Sequence, residues 1–111
     1  MRGAWAPASL IVTAVATAIV HPAGNASLAV GDRALGEYLS SECVTCHQLS
    51  GREQPGIPSI IGLPEARLAE ALVEYKDKKR SNSVMQAIAG KFSNDEIAAL
   101  AAYFGGLRSR R

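Results

Sequence analysis

Two cysteines three positions apart with a histidine directly after them, Cys43-Val44-Thr45-Cys46-His47, are the only cysteines in the chain. A disulfide across so short a loop would restrain the unfolded chain very little, so a structural bridge is a poor use of the pair. Three other chemistries use closely spaced thiols. A thioredoxin-like redox pair accompanies a βαβ pattern, which this sequence lacks. A zinc site needs four ligands, and His21, the only histidine besides His47, falls in an N-terminal stretch expected to be cleaved off, so carboxylates would have to complete it. The third chemistry is covalent attachment of haem c, whose signature is Cys-x-x-Cys-His. On a helical turn, two thiols at this spacing can reach both vinyl groups on one edge of the porphyrin, and the adjacent histidine is directed to the iron.

The N-terminal residues narrow the setting. The chain starts Met1-Arg2, runs through an apolar stretch over residues 10–20 broken only by Thr13 and Thr17, and reaches Pro22 and small residues through Ala26. A basic start, a short apolar middle and a small-residue exit are the layout of a signal peptide. The stretch is shorter than the roughly 20 apolar residues that span a bilayer, so no permanent membrane anchor is expected. Cleavage is expected after Ala26, with Gly24 at the third position back. This divides the chain into a signal peptide over residues 1–26 and a single domain over residues 27–111, exported to the periplasm.

Removing the leader leaves 85 of the 111 residues, a size at which a polypeptide core alone is only marginally stable. A bound group is expected to supply further burial. The 12 Lys and Arg against 10 Asp and Glu fall to a net charge of +1 without Arg2, too little to argue for nucleic acid or an anionic membrane.

The remaining pattern is helical. Leu35, Tyr38 and Leu39 at helical spacing, with Asp32 as N-cap, predict one helix over residues 31–42 that delivers Cys43 on its inner face. Gly36 inside it is either a weak spot costing about 1 kcal/mol relative to alanine or a close crossing with another helix. Residues 48–62 are rich in Gly, Pro and Ser and predict an irregular loop. Pro64 suits the first turn of a second helix, followed by Leu68, Ala71, Leu72 and Tyr75 and ending in the charged run Lys76-Asp77-Lys78-Lys79-Arg80. Residues 81–83 break the pattern, and residues 84–89 allow only a short helix before Gly90. Ser93 and Glu96 form a capping box for the last helix, whose stripe is Ile97, Leu100, Ala101 and Phe104 and whose expected stop is Gly105-Gly106. No stretch has the alternation of a strand, so the expected fold class is all-α.

Counting residues also proposes the second iron ligand. Once the leader is removed, Met85 is the only methionine and no second histidine remains. Met85 is therefore the candidate sixth ligand opposite His47, the alternative being a methionine that fills a gap in the core. Pro58 is either a turn stiffener or the source of a backbone carbonyl that accepts the Nδ1–H of His47. The run over residues 76–80 is either a solvated helix end, or a functional surface where Arg80 bonds a haem propionate and the lysines ring the exposed haem edge. The cofactor-binding set is thus Cys43, Cys46, His47, Pro58, Arg80 and Met85, with His47 and Met85 on the metal. With both axial positions filled, no catalytic residue is expected.

Over about residues 36–107 these motifs resemble the class I cytochromes c: Cys43-Val44-Thr45-Cys46-His47, then Gly56-Ile57-Pro58 and Gly62, then Met85, then the aliphatic last helix. Within that class, Gly36-Glu37-Tyr38-Leu39, Gly56-Ile57-Pro58-Ser59-Ile60, residues 75–80 and Val84-Met85-Gln86-Ala87-Ile88-Ala89-Gly90 are similar to the cytochrome subunits of flavocytochrome c sulfide dehydrogenases. Residues 75–80 are also similar to the cytochrome c4 and c5 groups, in which glycine commonly stands where this chain has Lys78 or Lys79. The resemblance implies a small single-domain class I cytochrome c fold, with helices wrapped around one covalently attached haem c. It also implies an electron-transfer protein without catalysis of its own, whose partner is an FAD-containing flavoprotein that oxidises sulfide. The alternatives are a free shuttle between several periplasmic redox partners and a haem sensor or gas-binding module, which would need a displaceable sixth ligand.

Overall fold

Side-chain oxygens start three of the five helices found among the described residues, which in this computed structural model are residues 31–108 together with residues 2–4, 7 and 9–16. Asp32 Oδ1 accepts from the N–H groups of Ala34 and Leu35 at 3.0 and 3.2 Å to open α1, Arg33–Leu39. Asn82 Oδ1 opens α4, Ser83–Ala89, by accepting from Met85 N at 3.0 Å. Ser93 and Glu96 make the expected reciprocal capping box at the start of α5, Asn94–Gly106, at 3.2 and 3.0 Å. Each cap satisfies donors that the first helical turn leaves without an intrahelical partner. The other two helices are α2, Ser41–Val44, and α3, Glu65–Lys76, with Pro64 one place before the first helical residue.

The structure corrects three details of the sequence reading. The single helix expected over residues 31–42 is two helices. The N–H and the hydroxyl of Ser40 both turn back on the carbonyl of Glu37, at 3.2 and 2.7 Å, which tightens the chain and re-aims it before the cysteines. Tyr38, one of the apolar positions whose spacing marked this helix, is 81% exposed. Gly105 and Gly106, expected to stop α5, are its last two residues. A Cβ at Gly105 would lie 2.9 Å from the carbonyl oxygen of Leu63, so glycine is needed there for close approach.

α5 is the central element, with α1 and α3 packed on it and α4 packed on α3. Its Ile97, Leu100, Ala101 and Phe104 join Leu68 of α3, Ile61, Phe92 and Cys43 in one core cluster. Burying each of the large side chains stabilises the fold by about 1.5–3 kcal/mol. α1 meets α5 through glycine: a Cβ at Gly36 would lie 2.6 Å from the carbonyl carbon of Ala99 and 2.7 Å from the Cβ of Tyr103. Gly36 is therefore a close helix crossing.

No strand occurs among the described residues; the one bridge, Gln54 with Ile57, pins a tight turn in the loop over residues 48–62. No described helix is long and apolar enough to cross a membrane. In the N-terminal segment, Leu10, Ile11, Val12 and Val15 are 84–91% exposed and add nothing to the core. The expected cleavage point at Ala26 lies outside the described residues.

Candidate functional site

The cysteine motif sits on a helical turn, as its chemistry requires. The N–H groups of Cys46 and His47 both reach back to the carbonyl of Cys43, at 3.2 and 2.9 Å, so both thiols and the imidazole leave one short arc of backbone. Cys43 is buried, Cys46 is exposed, and neither is in a disulfide. Burial, with a smaller contribution from the neighbouring Glu42 carboxylate, pushes the Cys43 thiol up to about 11. Before it is bonded, this group is therefore a protonated thiol at neutral pH.

His47 Nδ1 lies 2.7 Å from the carbonyl oxygen of Pro58. A carbonyl can only accept, so Nδ1 carries the proton and Nε2 keeps its lone pair free. That is the tautomer an imidazole needs in order to bind a metal through Nε2, with its ring fixed by an outer hydrogen bond. Of the two roles weighed for Pro58, the carbonyl acceptor is the one the geometry favours. The turn between Gln54 and Ile57 presents it, through paired hydrogen bonds of 3.1 and 2.9 Å.

Met85 comes from α4, on a different element from the cysteine motif. It is half-buried and lines a cavity, and it does not belong to the core cluster. The same cavity, about 980 Å³, is lined by all six residues singled out from the sequence: Cys43, Cys46, His47, Pro58, Arg80 and Met85. Its other walls are mainly apolar, with Ile57, Ile60, Leu68, Leu72, Ile88 and Phe104 among them. The volume is at the upper end of the roughly 300–1,000 Å³ typical of small-molecule and cofactor sites.

Two thiols on one turn, an imidazole of fixed tautomer, a thioether from a second element and apolar walls together suit a covalently held haem. No group of three or more His, Cys, Asp or Glu among the described residues is arranged to hold a bare metal ion. Among the described residues the zinc reading therefore finds no ligand set.

Arg80 reaches the cavity wall, but its Nε is paired with Glu74 Oε2 at 2.8 Å and its guanidinium lies 5.6 Å from the centre of the Tyr75 ring. The turn that brings it there passes through Lys78 at φ 59°, the only positive value among the described non-glycine residues. Of the two lysines standing where related patterns have glycine, Lys78 is thus the one in the left-handed conformation that glycine adopts without strain.

The sequence reading missed Asn82, which lines the cavity and caps the helix bearing Met85. An Asn placed three residues before a candidate ligand, at the start of a short helix, was the available signal. It also missed Glu42, another lining residue, which is paired with Lys91 at 3.1 Å.

Comparison with known proteins agrees with this geometry. The family Cytochrome c matches residues 34–108. The chain is 32% identical over 93 residues to the cytochrome subunit of sulfide dehydrogenase of Chlorobaculum tepidum, covering 84% of each chain. It is 37% identical over 71 residues to the thiosulfate dehydrogenase electron acceptor of Thiomonas intermedia, covering 62% of this chain and 33% of that protein. Cytochrome c4 of Pseudomonas aeruginosa is 31% identical over 97 residues, with 86% of this chain and 45% of that protein covered. The chain thus spans less than half the length of the latter two. Among solved structures, reduced cytochrome c4 from Pseudomonas stutzeri superposes with a TM-score of 0.63 at 28% identity, covering 72% of this chain and 53% of that one. Helical fold, haem-attachment motif and family match together show that the chain belongs to the cytochrome c family, an all-α electron-transfer protein that carries haem c.

Proposed function

We propose that this chain is a periplasmic single-electron carrier whose one haem is bonded through Cys43 and Cys46 and ligated by His47 and Met85. The observation that carries this reading is the hydrogen bond from His47 to the Pro58 carbonyl, which leaves Nε2 free at a cavity that Met85 also lines. When bound, the haem supplies reversible Fe(III)/Fe(II) chemistry. The chain supplies the rest. Cys43 and Cys46 would hold the group as thioethers, and His47, with its Nδ1–H on the Pro58 carbonyl, would offer Nε2 to the metal. Met85 would offer the metal a weakly basic sulfur, which favours a higher potential than a second imidazole would give. Arg80 supplies a guanidinium at the cavity wall for a propionate, and the apolar walls keep water out. Acid–acetone extraction tests the attachment: colour should stay with the protein, and haem that washes out would refute the thioether assignment.

The electron donor in this reading is an FAD-containing sulfide dehydrogenase subunit. Support comes from the Chlorobaculum tepidum relative, named as a cytochrome subunit of sulfide dehydrogenase and matched along 84% of its length. The test follows haem reduction after adding sulfide, with and without the flavoprotein. Rapid reduction only with the flavoprotein, and co-elution of flavin and haem at high ionic strength, are the expected results. Reduction that ignores the flavoprotein, or a complex lost at physiological salt, would favour a free shuttle. That second reading draws on the exposed Lys78 and Lys79 beside Arg80, suited to brief electrostatic encounters, and on the similarity to a thiosulfate dehydrogenase electron acceptor.

Export also belongs to this proposal. The exposed apolar residues of the N-terminal segment pack on nothing in the domain, as suits a leader that is removed. N-terminal sequencing of the mature protein should read from residue 27. A retained Met1 in a membrane-bound protein would overturn cleavage.

A further inference from the structure

The short strap between α3 and α4, residues 77–82, is tied at both ends by residues outside the cavity wall. On the α3 side, the carbonyl of Glu74 accepts from the N–H groups of Lys79 and Arg80 at 2.8 and 3.3 Å, and its carboxylate takes Arg80 Nε at 2.8 Å. Glu74 therefore holds the strap through both its backbone and its side chain. On the α4 side, Gln86 Nε2 donates to the carbonyl of Arg80 at 2.8 Å, and its backbone N–H donates to the carbonyl of Asn82 at 2.9 Å. Gln86 directly follows Met85, whose own N–H is held by Asn82 Oδ1 at 3.0 Å.

Met85 thus lies directly before the last member of a polar chain that runs from Glu74 through Arg80 to Gln86. We propose that Glu74 and Gln86 are positioning residues that clasp this strap and hold the Met85 sulfur on the iron against competing ligands. The inference rests on Met85 being the sixth ligand.

The physical reason is competition. A thioether is a weak ligand, and it persists only because the chain keeps its sulfur at high effective concentration beside the metal. An outside ligand binds only the fraction of molecules in which the sulfur has left, so its apparent affinity reports how firmly the strap is held. The ion pair itself is exposed, 51% on Arg80 and 35% on Glu74, and such pairs add little to global stability. Breaking it should therefore loosen Met85 with little change in the unfolding transition, a separation that a merely structural role would not produce.

The test is cyanide titration of the oxidised holoprotein, with a urea unfolding curve for each variant. Glu74→Ala and Gln86→Leu are each expected to raise the apparent cyanide affinity by about tenfold, the scale of lost outer-shell support at metal sites. Lys76→Ala, which removes the 3.3 Å bond to Asn94 at the end of the same helix, is the control and should bind cyanide like the unsubstituted protein. Glu74→Ala and Gln86→Leu curves that coincide with Lys76→Ala would overturn the clasp, even with Met85 ligation intact. Met85→Ala checks the underlying reading separately. If it binds cyanide no more tightly than the unsubstituted protein, Met85 is not the ligand and the clasp falls with it.

Discussion

The side of the molecule where α1 crosses α5 and the side where α4 faces the cavity are built by different means. On the first, backbone meets backbone: Gly36 is buried against Ala99 and Tyr103, and Ile97 and Leu100 are fully buried beneath. On the second, Val84 is 64% exposed, Met85 is half-buried, and α4 is held by Asn82, by Gln86 and by its packing on α3. The chain's own atoms close the first side. A cavity of about 980 Å³ occupies much of the second, so the contacts that complete it come from the haem. The fold and the cofactor are in this sense coupled: a group that binds the folded state stabilises it, and this small domain relies on that group to fill its cavity side.

The largest expected effect comes from removing the tether. The double substitution Cys43→Ser, Cys46→Ser should leave no haem after acid–acetone extraction and a chain with little helical circular dichroism, because the cavity side loses its filling. A haem-free double variant with full helical signal would mean that the two sides are independent.

On the other side, Gly36→Val should cost about 3 kcal/mol in urea unfolding, since its side chain would have to displace the α5 backbone. Tyr38→Ala, two residues along the same helix but 81% exposed, should change stability by less than about 0.5 kcal/mol. Similar costs at the two positions would refute the glycine crossing.

The smallest effect is expected at the turn into the strap. Lys78→Gly should stabilise the fold by about 0.5–1 kcal/mol by relieving the left-handed backbone, without altering the haem spectrum. A loss of stability would mean that the lysine side chain contributes more than its backbone strain costs.

The same contrast decides what was legible in the sequence. α5 could be read because its signals are side chains: a capping box and an apolar stripe with helical spacing. The haem-attachment motif could be read because its chemistry is scarce in this chain, and the same scarcity singled out Met85, which lines the cavity. What escaped was carried by backbone or by single polar contacts. Gly36 left two readings open, because a helix crossing made through glycine has no hydrophobic signature, while the visible Tyr38 points to solvent. Gly105 near the end of α5 read as part of a stop, yet what it permits is the close approach of the Leu63 carbonyl. The break at Ser40 depends on a hydroxyl turning back on Glu37, and the roles of Glu74, Asn82 and Gln86 depend on where the strap between α3 and α4 lies in space. Sequence spacing carries none of these.

The central claim is that Met85 and His47 hold one iron between them, and the near-infrared absorption of the oxidised protein tests it most directly. The account predicts a weak sulfur-to-iron charge-transfer band that is present in the unsubstituted protein and absent in Met85→Ala, with the haem still covalently attached in both. A band missing from the unsubstituted protein, or surviving unchanged in Met85→Ala, would contradict it.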